Sequence, residues 1–323
     1  MSTISSIKTT GIVAGIFAPL SLLQGATISQ TNLNPNDSNL WNNSAVWGGN
    51  AVGSGNDYET VVGGTALGTS FAANGTTWQY YNNIRDTSGA SPANTTFAGD
   101  SLILVSGSRL LMKGRNTTSE ANIVMRDGSH IILANNGAGS GNLAGQIAVD
   151  DGALVAIGLQ PHSGGSGNTL NVSSTFTGGV GSTVQLVLHG GSTNHLNITG
   201  DISGFNGTFL VSTSSLVSTG AGSTFSFVTG SAPLATLHLL PSANILFNLN
   251  QDLAFGSVII GGDTPLVAGT YTFEDLDSLG YGSAFLSNGG SLTVIPEPSA
   301  ALLGGLGVLA AAGIRRRRRH ASC

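Results

Sequence analysis

The sequence predicts an all-β protein whose body is a stack of β-coils, a solenoid, with a β-sandwich built from a meander of hairpins as the alternative. Three observations carry the prediction. Gly, Thr, Ser, Asn and Val, all poor helix formers, dominate a chain of 323 residues that holds 48 glycines and only 8% charged residues. Strand–glycine turn–strand units recur in "SLILVSGSRLLMK" (101–113), "NIVMRDGSHIILA" (122–134) and "QIAVDDGALVAIG" (146–158), with looser copies in "FTGGVGSTVQLVL" (176–188) and "ISGFNGTFLVS" (202–212). Their turn glycines, Gly107, Gly128, Gly152, Gly181 and Gly207, fall 21, 24, 29 and 26 residues apart. That period suits coils that cannot close a core without a neighbour.

The chain opens with Lys8, an apolar run over 11–23 and small residues at Gly25 and Ala26. This order predicts a signal peptide over 1–26, helical while it is being exported, although Gln24 stands where a small residue is preferred before a cut after Ala26. Residues 27–96 hold all three tryptophans, Trp41, Trp47 and Trp78, with Tyr58, Tyr80 and Tyr81. A solenoid must cover the open end of its core, so this stretch reads as an N-terminal cap. The alternative is a carbohydrate platform of stacked rings.

The β-repeat body is assigned to 97–260. Its Asp127-Gly128 and Asp151-Gly152 pairs suit turns that need a positive φ, which glycine adopts without a Cβ penalty. In "HIILA" (130–134), Ile131 and Leu133 share one face while His130, Ile132 and Ala134 share the other. Such two-sided apolarity fits a strand with one face in a core and the other thinly solvated. A closing β segment over 261–295 carries one acidic loop, Glu274, Asp275 and Asp277, between alternating strands.

The units "FTGGVGSTVQL" and "ISGFNGTFLVS" resemble the autotransporter-associated β-strand repeats of bacterial surface proteins. That resemblance implies a passenger-like, right-handed parallel β-helix, and it transfers no functional residue.

At the C-terminus, residues 299–314 are uncharged, about 24 Å of helix against a bilayer core of about 30 Å. Arg315, Arg316, Arg317, Arg318 and Arg319 follow and predict a transmembrane helix with its end in the cytoplasm. A nucleic-acid arm is excluded by the rest of the chain. Residues 27–295 hold fifteen Asp and Glu against five Lys and Arg, a balance of −10 that repels phosphates. Pro296, Glu297 and Pro298, the apolar helix and the arginine cluster together resemble the PEP-CTERM sorting signal over 296–323. Four residues, 320–323, trail the arginines. The resemblance implies processing by an exosortase, a membrane-embedded thiol transpeptidase, and delivery to the cell envelope, surface or exterior. The single cysteine, Cys323, lies beyond the arginines, so no disulfide forms within the body.

No G-x-S-x-G, H-E-x-x-H, C-x-x-C or P-loop pattern occurs. His130, His162, His189, His195 and His238 are isolated in sequence. Asp150 and Asp151 form the best carboxylate pair, but neighbours on a strand point to opposite faces, and a turn-forming role is favoured over a shared Ca²⁺. Arg109, Lys113, Arg115 and Arg126 read as solvated edge residues that discourage aggregation. The sequence therefore predicts no catalytic, cofactor-binding or metal-ligating residue. It points to a noncatalytic surface or extracellular-matrix protein, with exosortase, the membrane and extracellular polysaccharide as partners. A β-helix polysaccharide lyase or hydrolase is the alternative.

Overall fold

The computed structural model describes residues 25–32, 40–88, 93–134, 138–160, 167–188, 193–213, 222–228, 230–240, 245–262 and 264–295. Outside the described residues lie the signal peptide up to residue 24, His162, His189, the 299–314 helix, and the sorting residues Pro296–Pro298 and Arg315–Arg319. Among the described residues, no helix is long and apolar enough to cross a membrane.

The fold is all-β, a parallel β-solenoid of about seven turns. The two strands flanking each turn glycine do not pair with each other, as a hairpin meander would require. They enter different sheets, a wide one of 13 strands and a narrow one of 10, and each pairs in parallel with its counterpart in the next coil. Thr117–Met125 lies in the wide sheet and His130–Leu133 in the narrow one; the next coil adds Gly139–Val149 and Leu154–Leu159 to the same two sheets. Antiparallel strand pairs among the described residues are confined to two places: Gly68–Ala73 with Thr76–Tyr80, and Gly269–Tyr271 with Leu292–Val294.

Alternation along each strand decides which side chains enter the core. In the narrow sheet, one inward row stacks Leu110, Ile131, Ile157, Leu186, Val211, Leu239 and Ile260 in strict register. The facing row of the wide sheet runs Leu170, Leu196, Phe225, Phe247 and Phe285. Toward the C-terminus phenylalanines fill the core, with Phe205 and Phe209 at 4.5 Å and Phe209 and Phe227 at 5.2 Å between ring centroids.

The turns explain the glycine spacing. Gly107, Gly128, Gly152 and Gly181 hold φ between 68° and 74°, a region that β-carbons penalise. Gly207 is required for a different reason: a Cβ there would sit 2.6 Å from the Gly179 carbonyl oxygen of the preceding coil. Aspartates bind the coils together at the same edge. Asp127 accepts from the Leu154 N–H at 2.8 Å, Asp151 from Val180 at 2.9 Å and Asp252 from Ser291 at 3.0 Å.

The sheets run beyond 97–260 on both sides. Ala26–Ser29 and Asn56–Glu59 precede Ser101–Leu104 in the wide sheet, and Phe285–Ser287 and Leu292–Val294 supply the last coil. The acidic loop is a short helix, Phe273–Ser278. Thr272 and Asp275 form a capping box whose Thr272 N–H donates to the Asp275 carboxylate at 2.9 Å, and buried Leu276 anchors the helix to the core. Two hydrogen bonds from Thr272 hold the Asp275 carboxyl below its ordinary range.

The aromatic segment divides in two. Trp41, Trp47, Tyr58 and Phe97 pack ring on ring within the first coils, with the Trp47 indole N–H donating to the Trp41 carbonyl at 2.8 Å. Trp78 belongs instead to a hairpin, Gly68–Ala73 and Thr76–Tyr80, turned through Asn74 (φ 47°) and Gly75 (φ 76°). This hairpin lies across the outside of the narrow sheet, where Phe71, Ala73 and Trp78 cover Leu111, Ile132, Ala134, Ala156 and Val187. Gly158 leaves the space for Phe71, since a Cβ there would meet the ring at 3.0 Å.

Because the hairpin is laid onto a finished sheet, Phe71→Ala should release it without unwinding the stack. The hairpin's docking should weaken by about 3–5 kcal/mol, the usual loss for a buried Phe. Limited proteolysis should then cut near Asn74 while the β circular dichroism spectrum holds. Loss of the β signal together with the hairpin would contradict this division.

Candidate binding surface and buried polar network

The outer face of the wide sheet carries the carboxylates Asp57, Glu59 and Glu120 on its first strands and is polar without carboxylates or cations over the coils that follow. One row places Thr118, Asn142, Asn171, Asn197 and Ser226 on successive strands at the parallel-sheet spacing of about 4.8 Å. The side chains bond along the row: Asn142 Nδ2 donates to Thr118 at 3.4 Å, Asn197 Nδ2 to Asn171 at 2.9 Å, and Asn248 Nδ2 to Ser226 at 3.4 Å. Asn288 Nδ2 continues the chain to Asn248 at 2.5 Å. A second row aligns Ser140, Thr169, His195 and Thr224, in which His195 Nδ1 lies 2.8 Å from Thr224 Oγ1. Partial burial pulls the His195 imidazole below its ordinary range, favouring the neutral ring.

The opposite side holds a buried polar network built around Arg109, a residue that the strand pattern alone assigns to solvent. Arg109 is 7% exposed. Its guanidinium carbon lies 3.4 Å over the centre of the Tyr80 ring, Nε donates to Asn83 Oδ1 at 3.2 Å and Nη1 donates to Ser70 Oγ at 3.1 Å. Burial pulls Arg109 down to about 10, partly offset by the Tyr80 phenol, so it stays a cation at neutral pH. Arg109 is therefore an internal staple rather than a solvated edge residue, because the hairpin covers the strand face it projects from. Arg126 is also engaged, paired with Glu59 and 3.7 Å from Asp150.

Ser70 Oγ in turn lies 2.9 Å from His130 Nε2. Serine beside imidazole has the shape of an activated nucleophile, but the surroundings oppose that chemistry. His130 is fully buried, and burial followed by the Arg109 cation pushes its pKa down to about 3. A ring that resists a proton this strongly is a poor general base near neutrality. The network ends with Trp78 Nε1 donating to Gln185 Oε1 at 2.8 Å and Gln185 Nε2 to Ser212 at 3.2 Å.

The fold does not gather the remaining candidates. His130 and His238 share an outward row of the narrow sheet but are four strands apart, and His195 lies on the other sheet. Among the described residues, no group of three His, Cys, Asp or Glu side chains could hold a metal ion. Asp150 and Asp151 diverge, one toward Arg126 and the other onto the Val180 N–H. Asp86 was not singled out in the sequence. It is buried and accepts from the Lys113 N–H at 2.9 Å and from Ser119 Oγ at 2.5 Å, and burial raises its carboxyl above the ordinary range.

His130 should make stability depend on pH. Its folded pKa lies below the unfolded value, so between pH 6.5 and about 3 the unfolded chain binds the extra proton. Its contribution is complete above about pH 6.5 and is lost as pH falls toward 3, with a slope of up to about 1.4 kcal/mol per pH unit. In His130→Asn, urea midpoints measured from pH 7 to pH 4 should fall less steeply than in the wild type. Equal slopes would remove His130 from the acid response.

Comparison with protein-family models, curated proteins and solved structures finds no match to this chain.

Proposed function

We propose that the chain is an exported, noncatalytic protein of the cell surface or extracellular matrix, sorted through its C-terminal tail. On this reading the solenoid is right-handed, the hand that parallel crossovers favour. The wide sheet then presents its polar face to extracellular polysaccharide. The observation that carries the proposal is the uncharged row of amides and hydroxyls from Thr118 through Asn142, Asn171, Asn197 and Ser226 to Asn248, bonded in the pairs Asn142–Thr118 and Asn197–Asn171 and the run Asn288–Asn248–Ser226. Such a face offers donors and acceptors at a fixed spacing along the molecule, which suits a polymer better than a compact substrate.

The tail supports the location. Pro296-Glu297-Pro298, the apolar stretch and the arginines stand in the order of the PEP-CTERM signal, and the last strand, Leu292–Val294, stops two residues short of Pro296. A chain held by residues 299–314 would keep the C-terminal coil close to the membrane until an exosortase released it. Against a lyase or hydrolase stands the use made of the carboxylates: Asp100, Asp127, Asp151, Asp201 and Asp252 each accept from a backbone N–H.

Fractionation of native cells, with the mature C-terminus read by mass spectrometry, tests the proposal. The mature protein should lack Arg315–Arg319 and be found in the envelope or medium. Replacing the five arginines by Ser should abolish processing, because the helix then loses the charges that hold its end in the cytoplasm. A full-length tail on all of the protein, in a host with an exosortase, would make the tail an ordinary anchor. A cytoplasmic product would overturn the proposal.

A further inference from the structure

A groove of about 270 Å³ lies where the lateral hairpin meets the turn edge of the solenoid, lined in part by Thr76, Thr77, Gln79, Tyr81, Ser106 and Asp127. Its floor is backbone. The Tyr81 N–H donates to Gly107 O at 2.8 Å, Gly107 to Gly128 O at 3.1 Å and Gly128 to Leu154 O at 2.9 Å, so the ladder across the floor is already satisfied. Gly107 and Gly128 keep the floor low: a Cβ on the first would meet Tyr81 at 2.6 Å, and on the second Ser106 at 2.6 Å. The Tyr81 ring packs on Gly107 and contributes an aromatic wall. The Trp78 indole is unsuited to that role, being 3% exposed with its N–H committed to Gln185.

The polar groups around this space are only partly engaged. Tyr81 OH donates to Gln79 Oε1 at 3.2 Å, which leaves the Gln79 amide N–H₂ as a donor. Asp127 Oδ1 takes the Leu154 N–H, which leaves Oδ2 as an acceptor. The hydroxyls of Thr76, Thr77 and Ser106 can act either way. No cationic side chain lines the groove.

We infer that this groove is a subsite for a neutral sugar residue of a glycan chain. Mixed donors and acceptors around one aromatic ring match a ligand that is apolar on its C–H face and hydroxylated at its rim. Asp127 and the −10 balance of residues 27–295 disfavour uronic or sulfated sugars. The volume is just below the range of about 300–1,000 Å³ typical of whole ligand pockets, so it holds a single ring rather than an oligomer. The site extends the proposed function from a polar face to a defined contact, and it depends on that reading only for the source of the glycan.

The test is titration of the full exported chain with neutral cello-, malto- and chito-tetraose and with oligogalacturonate, followed by calorimetry. At least one neutral series should bind, and the acidic one should not. Tyr81→Ala should weaken binding about tenfold, on the scale of a lost aromatic contact, while Tyr81→Phe should keep most of it. Thr77→Trp, at an exposed hairpin position, should fill the groove and abolish binding with the circular dichroism spectrum unchanged. No neutral sugar bound, binding insensitive to Thr77→Trp, or a groove that takes an extended peptide instead would each overturn the assignment. An exported protein that fails this titration sinks the groove alone. A cytoplasmic protein that passes it sinks the surface role alone.

Discussion

Parallel register is the constraint on which the molecule depends. Each strand lies about 4.8 Å from its counterpart in the next coil, so every residue faces the same position one coil on. An inward position must therefore be apolar in every coil, as in the row from Leu110 to Ile260. An outward position cannot carry the same charge twice, because like charges at about 4.8 Å repel by roughly 1 kcal/mol in water and about 3 kcal/mol at an effective dielectric near 20. Amides escape the difficulty, since Asn can donate to one neighbour and accept from the other. The low charge content and the Asn–Thr–Ser composition follow from this one geometric fact.

The same register explains what the sequence made legible. Glycine recurs where the chain leaves the wide sheet for the narrow one, because Gly107, Gly128, Gly152 and Gly181 all need positive φ at that corner. Local sequence thus marks the coil, although it marks the partner poorly. The lateral hairpin was hidden for that reason, even though Asn74-Gly75, a strong signal for a two-residue hairpin turn, stands in plain view between "TSFAA" and "TTWQY". Its destination was hinted at only by the apolar outer face of "HIILA". Nothing near Arg109 in sequence reveals the Tyr80 ring that lies above it, so its burial is not legible from the strand alone. The capping box of Thr272 and Asp275 was readable and outweighs the strand alternation around it.

The two outer faces meet the demands of a solenoid in opposite ways. The narrow sheet turns Leu111, Ile132 and Val187 outward, and that surface is buried under the hairpin. Burying it forces Arg109 and His130 into the interior, where Ser70, Asn83 and Tyr80 engage the guanidinium, and burial with the Arg109 cation keeps the imidazole neutral. The wide sheet needs no cover, because its outward rows are amides and hydroxyls that bond to one another in places and otherwise meet water. Asymmetric cover leaves the molecule with one broad polar face and, along the hairpin's margin, one groove.

The ends are treated differently from the faces. At the N-terminal end, Trp41, Trp47, Tyr58 and Phe97 close the core with rings, while Ala26–Ser29 ends the wide sheet as an edge strand. At the C-terminal end of the narrow sheet, Gly269–Tyr271 pairs antiparallel with Leu292–Val294 and is itself the outermost strand. The stack of parallel coils therefore ends on a short antiparallel strand of three residues, and very short edge strands offer little template for further pairing. Leu292–Val294 is thus fixed on both sides, by this strand and by Leu253–Ile260. The chain leaves that fixed strand at Ile295 and meets Pro296 immediately, which denies an N–H to any continuation of the ladder.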